Sequence, residues 1–205
     1  MPPSVKLLIV ADHASNYIPK KYNNLGLARN DIFTHKAYDP GVKDLAINLS
    51  NKLNCQLVLG EYSRLLIDCN RDLNDPTLIP VISDRKLILG NKKITNQERN
   101  YRVKNIYNPY HDKIKKNIIE KKINVIISLH SFNPTFKGRK RLLKYGVLSN
   151  QDRRLSNLII NELKKGRDIV GDNKPYKGSL IGDTLYKHAL KREIHHSLIE
   201  IRNDL

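Results

Sequence analysis

Cysteines are few in this sequence and long apolar runs are missing, and each shortage excludes a class of protein. Cys55 and Cys69 are the only two cysteines among 205 residues, too few for a disulfide framework or a zinc site built from cysteines. Apolar runs such as Leu7–Ala11 fall far short of the roughly 20 residues that a membrane-spanning helix needs. The first residues lack the apolar core of a secretory signal. These absences predict a soluble, cytoplasmic protein with reduced, structural cysteines.

No linker rich in glycine and serine, no internal repeat and no low-complexity segment marks a domain boundary. A chain of 205 residues is long enough to bury one substantial core. Hydrophobic residues make up 40% and charged residues 28% of the sequence, a balance that excludes disorder. We therefore predict a single folded domain over residues 1–205.

Acidic residues are scarce relative to basic ones. The sequence has 20 Asp and Glu residues against 37 Lys and Arg residues, for a net charge of +17. Such an excess is typical of proteins that bind nucleic acid, because basic side chains neutralise phosphates. Here, however, lysine pairs are spread along the whole chain, for example at 20–21, 92–93 and 164–165. This distribution favours a solvated basic surface, and nucleic-acid binding is the alternative.

Short apolar runs alternate with amphipathic stretches along the chain. The runs predict strands at residues 5–11, 56–59, 65–68, 124–129, 145–148 and 197–201. Helical spacing predicts helices at 41–53 and around 155–163, and one or two helices within 96–122, where Pro109 kinks or divides the region. His195 and His196 are predicted on a surface turn before the last strand. The alternation predicts an α/β fold of three αβα layers with a mixed, largely parallel sheet, and ligands beyond the carboxyl ends of the strands.

Histidines stand at the ends of two predicted strands, His13 after the first and His130 after the strand at 124–129. Imidazole is a common zinc ligand, and a catalytic zinc needs about three protein ligands with one position left for water. A single histidine is more often structural, but two at strand ends favour metal binding. The third ligand is an oxygen from Asp39, Asp12 or Asn16, and the local sequence does not choose among them.

Glu200 lies within the last predicted strand, where a carboxylate is costly unless it is paired or used in chemistry. Burial would raise its pKa toward the range of a general base. The alternative is an ion pair with Arg202 or Arg71. The planar guanidinium of Arg71 suits bidentate binding of a substrate carboxylate, with a structural pair to Asp68 or Asp72 as its alternative.

Six elements in this order resemble the N-formylglutamate amidohydrolase family over nearly the full length. They are Asp12-His13-Ala14-Ser15-Asn16, residues 63–71 (Ser-Arg-Leu-Leu-Ile-Asp-Cys-Asn-Arg), Pro109-Tyr110-His111, His130-Ser131-Phe132, residues 171–176 (Gly-Asp-Asn-Lys-Pro-Tyr) and Ile199-Glu200-Ile201-Arg202. The most specific is the stretch 63–71, because a Ser-Arg pair followed by Asp and then Asn-Arg at fixed spacing is hard to obtain by chance.

The resemblance implies a zinc-carboxypeptidase-like, or phosphorylase/hydrolase-like, architecture and the hydrolysis of an amide C–N bond. The substrate it implies is a small N-acyl amino acid, with N-formyl-L-glutamate, cleaved to formate and L-glutamate, as the best candidate. It assigns the metal ligands His13, His130 and Asp39 for Zn²⁺ or another divalent ion, the general base Glu200, and the substrate-binding residues Asn70, Arg71, Arg64, Asn173 and Tyr176. A nucleic-acid-binding or catalytically inactive protein on the same scaffold is the alternative.

The sequence also departs from the family pattern. Asn16 occupies the place three residues after the first histidine where zinc carboxypeptidases have a glutamate, and Asp39 is the preferred substitute because residues 38–41 resemble an acidic position of the family. Lys174 replaces an acidic residue. The chain ends at Leu205, whereas relatives usually continue, so the domain is expected to lack a further helical segment.

Overall fold

Six strands form the main sheet of this computed structural model, which describes residues 4–178 and 181–205. The predicted domain of residues 1–205 thus includes positions 1–3 and 179–180, which lie outside the described residues. The strands are β1 (Leu7–Ala11), β2 (Gln56–Leu59), β3 (Ile82–Ser83), β4 (Lys86–Leu87), β5 (Val125–Phe132), β6 (Thr135–Phe136), β7 (Arg139–Lys140), β8 (Tyr145–Leu148), β9 (Val170–Asp172) and β10 (His195–Arg202).

The helices lie mainly between these strands. They are α1 (Arg29–Ile32), α2 (Val42–Leu53), α3 (Leu89–Lys92), α4 (Asn96–Arg102), α5 (Asn108–Glu120), α6 (Arg154–Lys165) and α7 (Thr184–His188), with 3₁₀ turns at Lys20–Gly26 and Leu190–Arg192 and a π-helical turn at Val103–Tyr107. The region predicted as one or two helices around Pro109 is one continuous helical segment from 96 to 120, because the residues that join α4, the π-helical turn and α5 keep right-handed helical angles. Pro109 follows the π-helical turn, where the regular helical hydrogen bonding is interrupted.

The main sheet has the strand order β2-β1-β5-β10-β8-β9. Every neighbouring pair is parallel except β10 and β8, which are antiparallel. Helices α2 and α6 contact one face of the sheet, and α5 and α7 contact the other. The predicted three-layer αβα fold with a mixed, largely parallel sheet is confirmed.

Side chains of the central strands alternate between the two faces. Ile9 and Leu129 pack with α2 on one face, whereas Leu8 and Ile126 pack with Ile114 of α5 on the other. This alternation follows from the two-residue period of a strand. The short apolar runs of the central strands are thus buried on both sides, as a parallel sheet between helices requires.

The predicted strand at residues 65–68 is wrong. Leu65 and Leu66 are 1% and 0% exposed, yet they belong to a turn and pair with no strand. Their carbonyls are bound by side chains instead, since Asn91 donates to the Leu65 oxygen at 2.8 Å and Arg102 to the Leu66 oxygen at 2.9 Å. Burial without a sheet is possible because these side chains satisfy the backbone.

The last strand begins earlier than predicted and contains both adjacent histidines. His195 is half-buried, and His196 is only 2% exposed. The prediction of a surface turn at these residues is wrong, because β10 continues to His195 alongside β5. No helix in the described part of the chain is long and apolar enough to cross a membrane.

Candidate active site

Strands β1, β5 and β10 run parallel, so their carboxyl ends meet at one edge of the sheet. His13 follows β1, and His130 lies near the end of β5 instead of after it. The two imidazole rings lie 4.9 Å apart between centroids, and both side chains are buried. We expect the functional side chains at the carboxyl ends of the strands, and His13 and His130 meet at this edge of the sheet.

Asp39 joins the two histidines from the loop before α2. Its backbone N–H donates to the His13 carbonyl at 2.9 Å, which holds the loop against the end of β1. Its Oδ2 lies 3.5 Å from His13 Nδ1 and 2.9 Å from His130 Nδ1. One ligand atom from each of these three residues lies within 4.8 Å of the others. His13, Asp39 and His130 thus form a compact group of two nitrogens and one oxygen.

Two further carboxylates face the opposite nitrogens of the imidazole rings. His13 Nε2 donates to Asp68 Oδ1 at 2.7 Å, and His130 Nε2 lies 3.2 Å from Asp12 Oδ2. Because a carboxylate only accepts, the proton of neutral His13 resides on Nε2 and leaves the Nδ1 lone pair free. His13 Nδ1 is buried and has no hydrogen-bond partner among residues 4–178 and 181–205.

The carboxylates of this group are strongly perturbed. Burial raises the pKa of Asp39, but His13 and His130 lower it by more, so the net pKa lies well below the usual range. The same opposition, with the histidines as the main lowering influence, holds the pKa values of Asp12 and Asp68 below normal. These carboxylates therefore remain ionised at neutral pH and offset positive charge on the buried histidines and Arg64.

Arg64 and Asn16 have different places around this group. Arg64 Nη1 donates to Asp39 Oδ1 at 3.2 Å, and its Nη2 lies 3.6 Å from Asp68. Asn16 instead donates to the Ile32 carbonyl at 3.3 Å, so it is occupied outside the group. Of the three oxygen donors left open by the sequence, Asp39 has an oxygen near Nδ1 of both histidines, and Asp12 stands behind His130.

Glu200 is on β10 directly opposite His130 of β5 in the parallel register, on the same face of the sheet. Burial raises the pKa of Glu200 to about 7, against the lowering influence of His130. Its Oε2 is buried and has no hydrogen-bond partner in the part of the chain that the structure describes. The alternative ion pair with Arg202 is not formed, since Arg202 binds Asp204 at 2.7 Å.

Glycine is required beside Glu200. Gly146 of β8 is its antiparallel partner, and a Cβ at this position would lie 2.3 Å from the Lys174 carbonyl and 3.3 Å from the Glu200 Cβ. The first distance is impossible for real atoms, so a larger residue would displace the backbone around Lys174. The close approach keeps the 171–176 loop against the strand that neighbours Glu200.

Asn70 and Arg71 lie on the cavity wall beside α7. Asn70 Oδ1 accepts from the Thr184 backbone N–H at 3.0 Å, which orients the amide. The Arg71 carbonyl accepts from Tyr107 Oη and Lys187 Nζ, both at 2.8 Å. No carboxylate lies within ion-pair distance of the Arg71 guanidinium in the described residues, so the structural pairs considered for it are not formed.

Of the two remaining predicted substrate-binding residues, one lines the cavity and the other does not. Tyr176 lines the cavity, and its hydroxyl accepts from Arg141 Nη1 at 3.2 Å. Asn173 is not part of the cavity lining, and its Oδ1 accepts from the Ser149 N–H at 3.0 Å. The amide of Asn173 therefore joins two loops, while Tyr176 faces the site.

Most of the predicted site residues open into one cavity of about 1350 Å³. Its wall contains His13, Asp39, His130, Glu200, Asn70, Arg71 and Arg64. Basic side chains surround the same cavity, namely Lys36, Arg85, Lys137, Arg141 and Lys177. This excess of positive charge suits a substrate that has a carboxylate.

Sequence reasoning missed some residues that form the site. Asp12 and Asp68 were identified as motif members but not as partners of His130 and His13, although each stands within or beside a histidine or Asn-Arg motif. Arg141 was not predicted, and its guanidinium lies over the rings of Phe136 and Tyr176 at 4.8 and 5.4 Å. No local pattern identifies this stacking, because Phe136 belongs to β6 and Tyr176 to a loop distant in the sequence.

The chain is similar to known proteins in sequence and in fold. The sequence model of the family described as N-formylglutamate amidohydrolase matches residues 5–205. The crystal structure of gene product Atu2144 from Agrobacterium tumefaciens is 36% identical, has a TM-score of 0.92, and is matched over 98% of this chain and 82% of that chain. The N-formylglutamate amidohydrolase from Ralstonia eutropha JMP134 is 20% identical with a TM-score of 0.70, over 98% of this chain and 83% of that chain, and shares the fold. No curated protein matches the sequence.

Proposed function

The chain belongs to the N-formylglutamate amidohydrolase family, and from this premise we propose that it is a metal-dependent hydrolase of N-acyl amino acids. The supporting observation is the group of His13, Asp39 and His130 beside the buried Glu200. N-formyl-L-glutamate is the first substrate to test. Hydrolysis of its amide with one water molecule yields formate and L-glutamate.

The residues present fit a divalent ion. His13 Nδ1 is buried and without a partner among the described residues, and it points to the same small space as His130 Nδ1 and Asp39 Oδ2. Asp68 and Asp12 stand behind the two imidazoles, an arrangement that orients histidine ligands in metal proteins. Two nitrogens and one carboxylate oxygen are a donor set suited to zinc. When bound, such an ion polarises a carbonyl and makes water more acidic.

Glu200 supplies the proton transfer in this proposal. With a pKa of about 7, its carboxylate accepts a proton from the attacking water near neutral pH and releases it to the leaving nitrogen. The water oxygen forms the new bond to the acyl carbon, and the C–N bond breaks. The Asn70 Oδ1 is engaged by Thr184, so its Nδ2 and the Arg71 guanidinium remain as donors for the substrate carboxylate.

The test combines metal content with formate release. We expect the wild-type protein to retain zinc through dialysis and to release formate from N-formyl-L-glutamate. Glu200→Gln should retain zinc while kcat/KM falls by about 10²–10⁴-fold, the usual contribution of a general base. Glu193→Gln is the matched control, because Glu193 is exposed, and it should behave like the wild type.

Three outcomes would contradict the proposal. Well-folded protein that binds no divalent ion would remove the metal mechanism. An active Glu200→Gln variant would remove Glu200 as the base. Zinc binding without hydrolysis of any N-acyl amino acid would overturn the proposed substrate class.

A further inference from the structure

The cavity continues past Glu200 along the same face of β10. Leu198 and His196 line it at two-residue intervals below Glu200, as side chains on one face of a strand must. Leu148 of β8, which pairs with Leu198, lines the cavity from the next strand. Leu185 of α7 and Leu190 lie on its helical side. These four leucines and His196 are called the leucine pocket.

His196 ends the leucine pocket with a single unused polar atom. The residue is 2% exposed, and its Nδ1 lies 2.7 Å from the Ile194 carbonyl. A carbonyl only accepts, so Nδ1 holds the proton and Nε2 of the neutral ring is an acceptor. Nε2 is buried with no hydrogen-bond partner in residues 4–178 and 181–205. A buried acceptor without a partner favours a ligand that has a donor.

The leucine pocket adjoins the residues proposed to bind the substrate carboxylate. Thr184 donates its backbone N–H to Asn70, and the next residue, Leu185, lines the pocket. In an amino acid, the side chain and the carboxylate leave the same Cα atom. When Asn70 and Arg71 hold the carboxylate, the side chain therefore lies at the entrance of the leucine pocket.

We infer that the leucine pocket binds the side chain of the substrate amino acid and selects one with an apolar stem and a hydrogen-bond donor at its end. A tyrosine side chain has this chemistry, because its ring packs on leucines and its hydroxyl donates to His196 Nε2. The inference rests on the proposed function and narrows its substrate to N-acyl derivatives of such amino acids. The reaction is unchanged, with N-formyl-L-tyrosine and water yielding formate and L-tyrosine.

Glutamate suits this pocket less well. A glutamate side chain has only two methylene groups before its carboxylate, so it extends less far than the ring and hydroxyl of tyrosine. That charge would end among leucines, where it is costly to bury. The glutamate carboxylate also offers only hydrogen-bond acceptors, whereas the free Nε2 of His196 is itself an acceptor and needs a donor.

The test compares N-formyl-L-tyrosine, N-formyl-L-phenylalanine and N-formyl-L-glutamate. For wild-type protein with zinc we expect kcat/KM to be highest for the tyrosine substrate, by about tenfold or more. In His196→Leu, the ratio of kcat/KM for tyrosine over phenylalanine should fall by about 10–100-fold, the effect of losing one buried hydrogen bond. His196→Gln retains an acceptor oxygen and should restore part of the ratio.

His195→Leu is the matched control, since the same substitution is made one residue away on the opposite face of β10 and His195 does not line the cavity. It should leave the ratio unchanged. Calorimetric binding of L-tyrosine and L-phenylalanine to each variant provides a second measurement that needs no catalysis.

The outcomes separate the two proposals. Tyrosine binding that depends on His196, without hydrolysis of any N-formyl substrate, would support the leucine pocket and overturn the proposed function. Hydrolysis with N-formyl-L-glutamate preferred, or with a ratio that His196→Leu leaves unchanged, would retain the function and overturn the pocket. If His196→Leu fails to fold, the His196→Gln ratio and the wild-type substrate order decide the result.

Discussion

Two pairs of buried histidines in this molecule have opposite electrostatic surroundings. Burial lowers the pKa of His130, but Asp12 and Asp39 raise it by more, and the pKa of His13 is also raised. His111 and His188 lie 2.9 Å apart between ring nitrogens and pair with no carboxylate among the described residues. Burial lowers their pKa values to about 3 and about 4. Neighbouring carboxylates favour the protonated form of His13 and His130, whereas burial disfavours the protonated form of His111 and His188.

The difference shows why two adjacent histidines are not enough to propose a metal site. The rings of His111 and His188 stack at 5.1 Å between centroids, close to the 4.9 Å of His13 and His130. What distinguishes the pairs is the carboxylates that face the rings, because these compensate a buried cation. The motif Pro109-Tyr110-His111 therefore has a structural role beneath the site. The hydroxyl of Tyr110 donates a hydrogen bond to Asp12 Oδ1 at 2.9 Å.

The largest expected effect is on metal binding. His130→Ala removes a proposed metal ligand and should lower the affinity for zinc by more than about 100-fold. This loss is larger than the loss expected when an outer carboxylate is removed. His188→Ala removes a histidine of the second pair and should leave zinc binding unchanged. Metal content after dialysis against a weak chelator measures both. If both variants lost zinc to the same extent, the two histidine pairs would not differ in metal binding.

A smaller effect is expected from the outer carboxylates. Asp68→Asn removes the charge that faces His13 Nε2, and zinc affinity should fall by about 10–100-fold. Asp112→Asn is the matched control, because Asp112 is exposed and follows His111. Competition with a fluorescent zinc chelator measures the dissociation constants. An unchanged dissociation constant for zinc in Asp68→Asn would show that Asp68 does not contribute to metal binding by His13 and His130.

The smallest effect concerns stability and the second pair. The pKa values of about 3 for His111 and about 4 for His188 in the folded state lie below the usual histidine pKa of 6.5. Between these pH values the unfolded state therefore binds more protons than the folded state. The free energy of unfolding therefore falls as pH decreases from 7 to 5, by up to about 1.4 kcal/mol per pH unit for each histidine.

Removing one of these histidines should reduce that dependence. In His111→Phe the slope of unfolding free energy against pH should be smaller than in the wild type by about 1 kcal/mol per pH unit. Urea unfolding at several pH values between 5 and 7, with zinc present throughout, measures the slope. Identical slopes would mean that the second pair is not held neutral.

Some of the fold follows from local patterns. The strands at 56–59 and 145–148 have the predicted bounds, and α2 lies within the predicted 41–53, since periodicity reports which side chains face a core. The same reasoning failed at residues 65–68. Their apolar run is buried, but distant Asn91 and Arg102 satisfy its carbonyls, and no local pattern contains those partners.

His196 shows a second limit of local pattern. Its polar neighbours resemble a turn, yet β5 extends alongside β10 and buries it at 2% exposure. Its place at the end of the leucine pocket depends on residues from β8 and α7. Such a position is decided by which elements pack together, so sequence spacing near His196 could not reveal it.

The sequence alone places His13 and His130 at strand ends and Glu200 within the last strand of an α/β fold, because apolar runs and the residues beside them are local features. The local sequence leaves Asp39, Asp12 and Asn16 open as oxygen donors, and the family resemblance prefers Asp39. The contact that holds Asp39 between the histidines, from its backbone N–H to the His13 carbonyl, exists only in the folded chain. The same is true of Asp12 and Asp68, which face the opposite ring nitrogens. Electrostatic fields depend on distances in space, and those distances arise only when the sheet register and the loops are assembled.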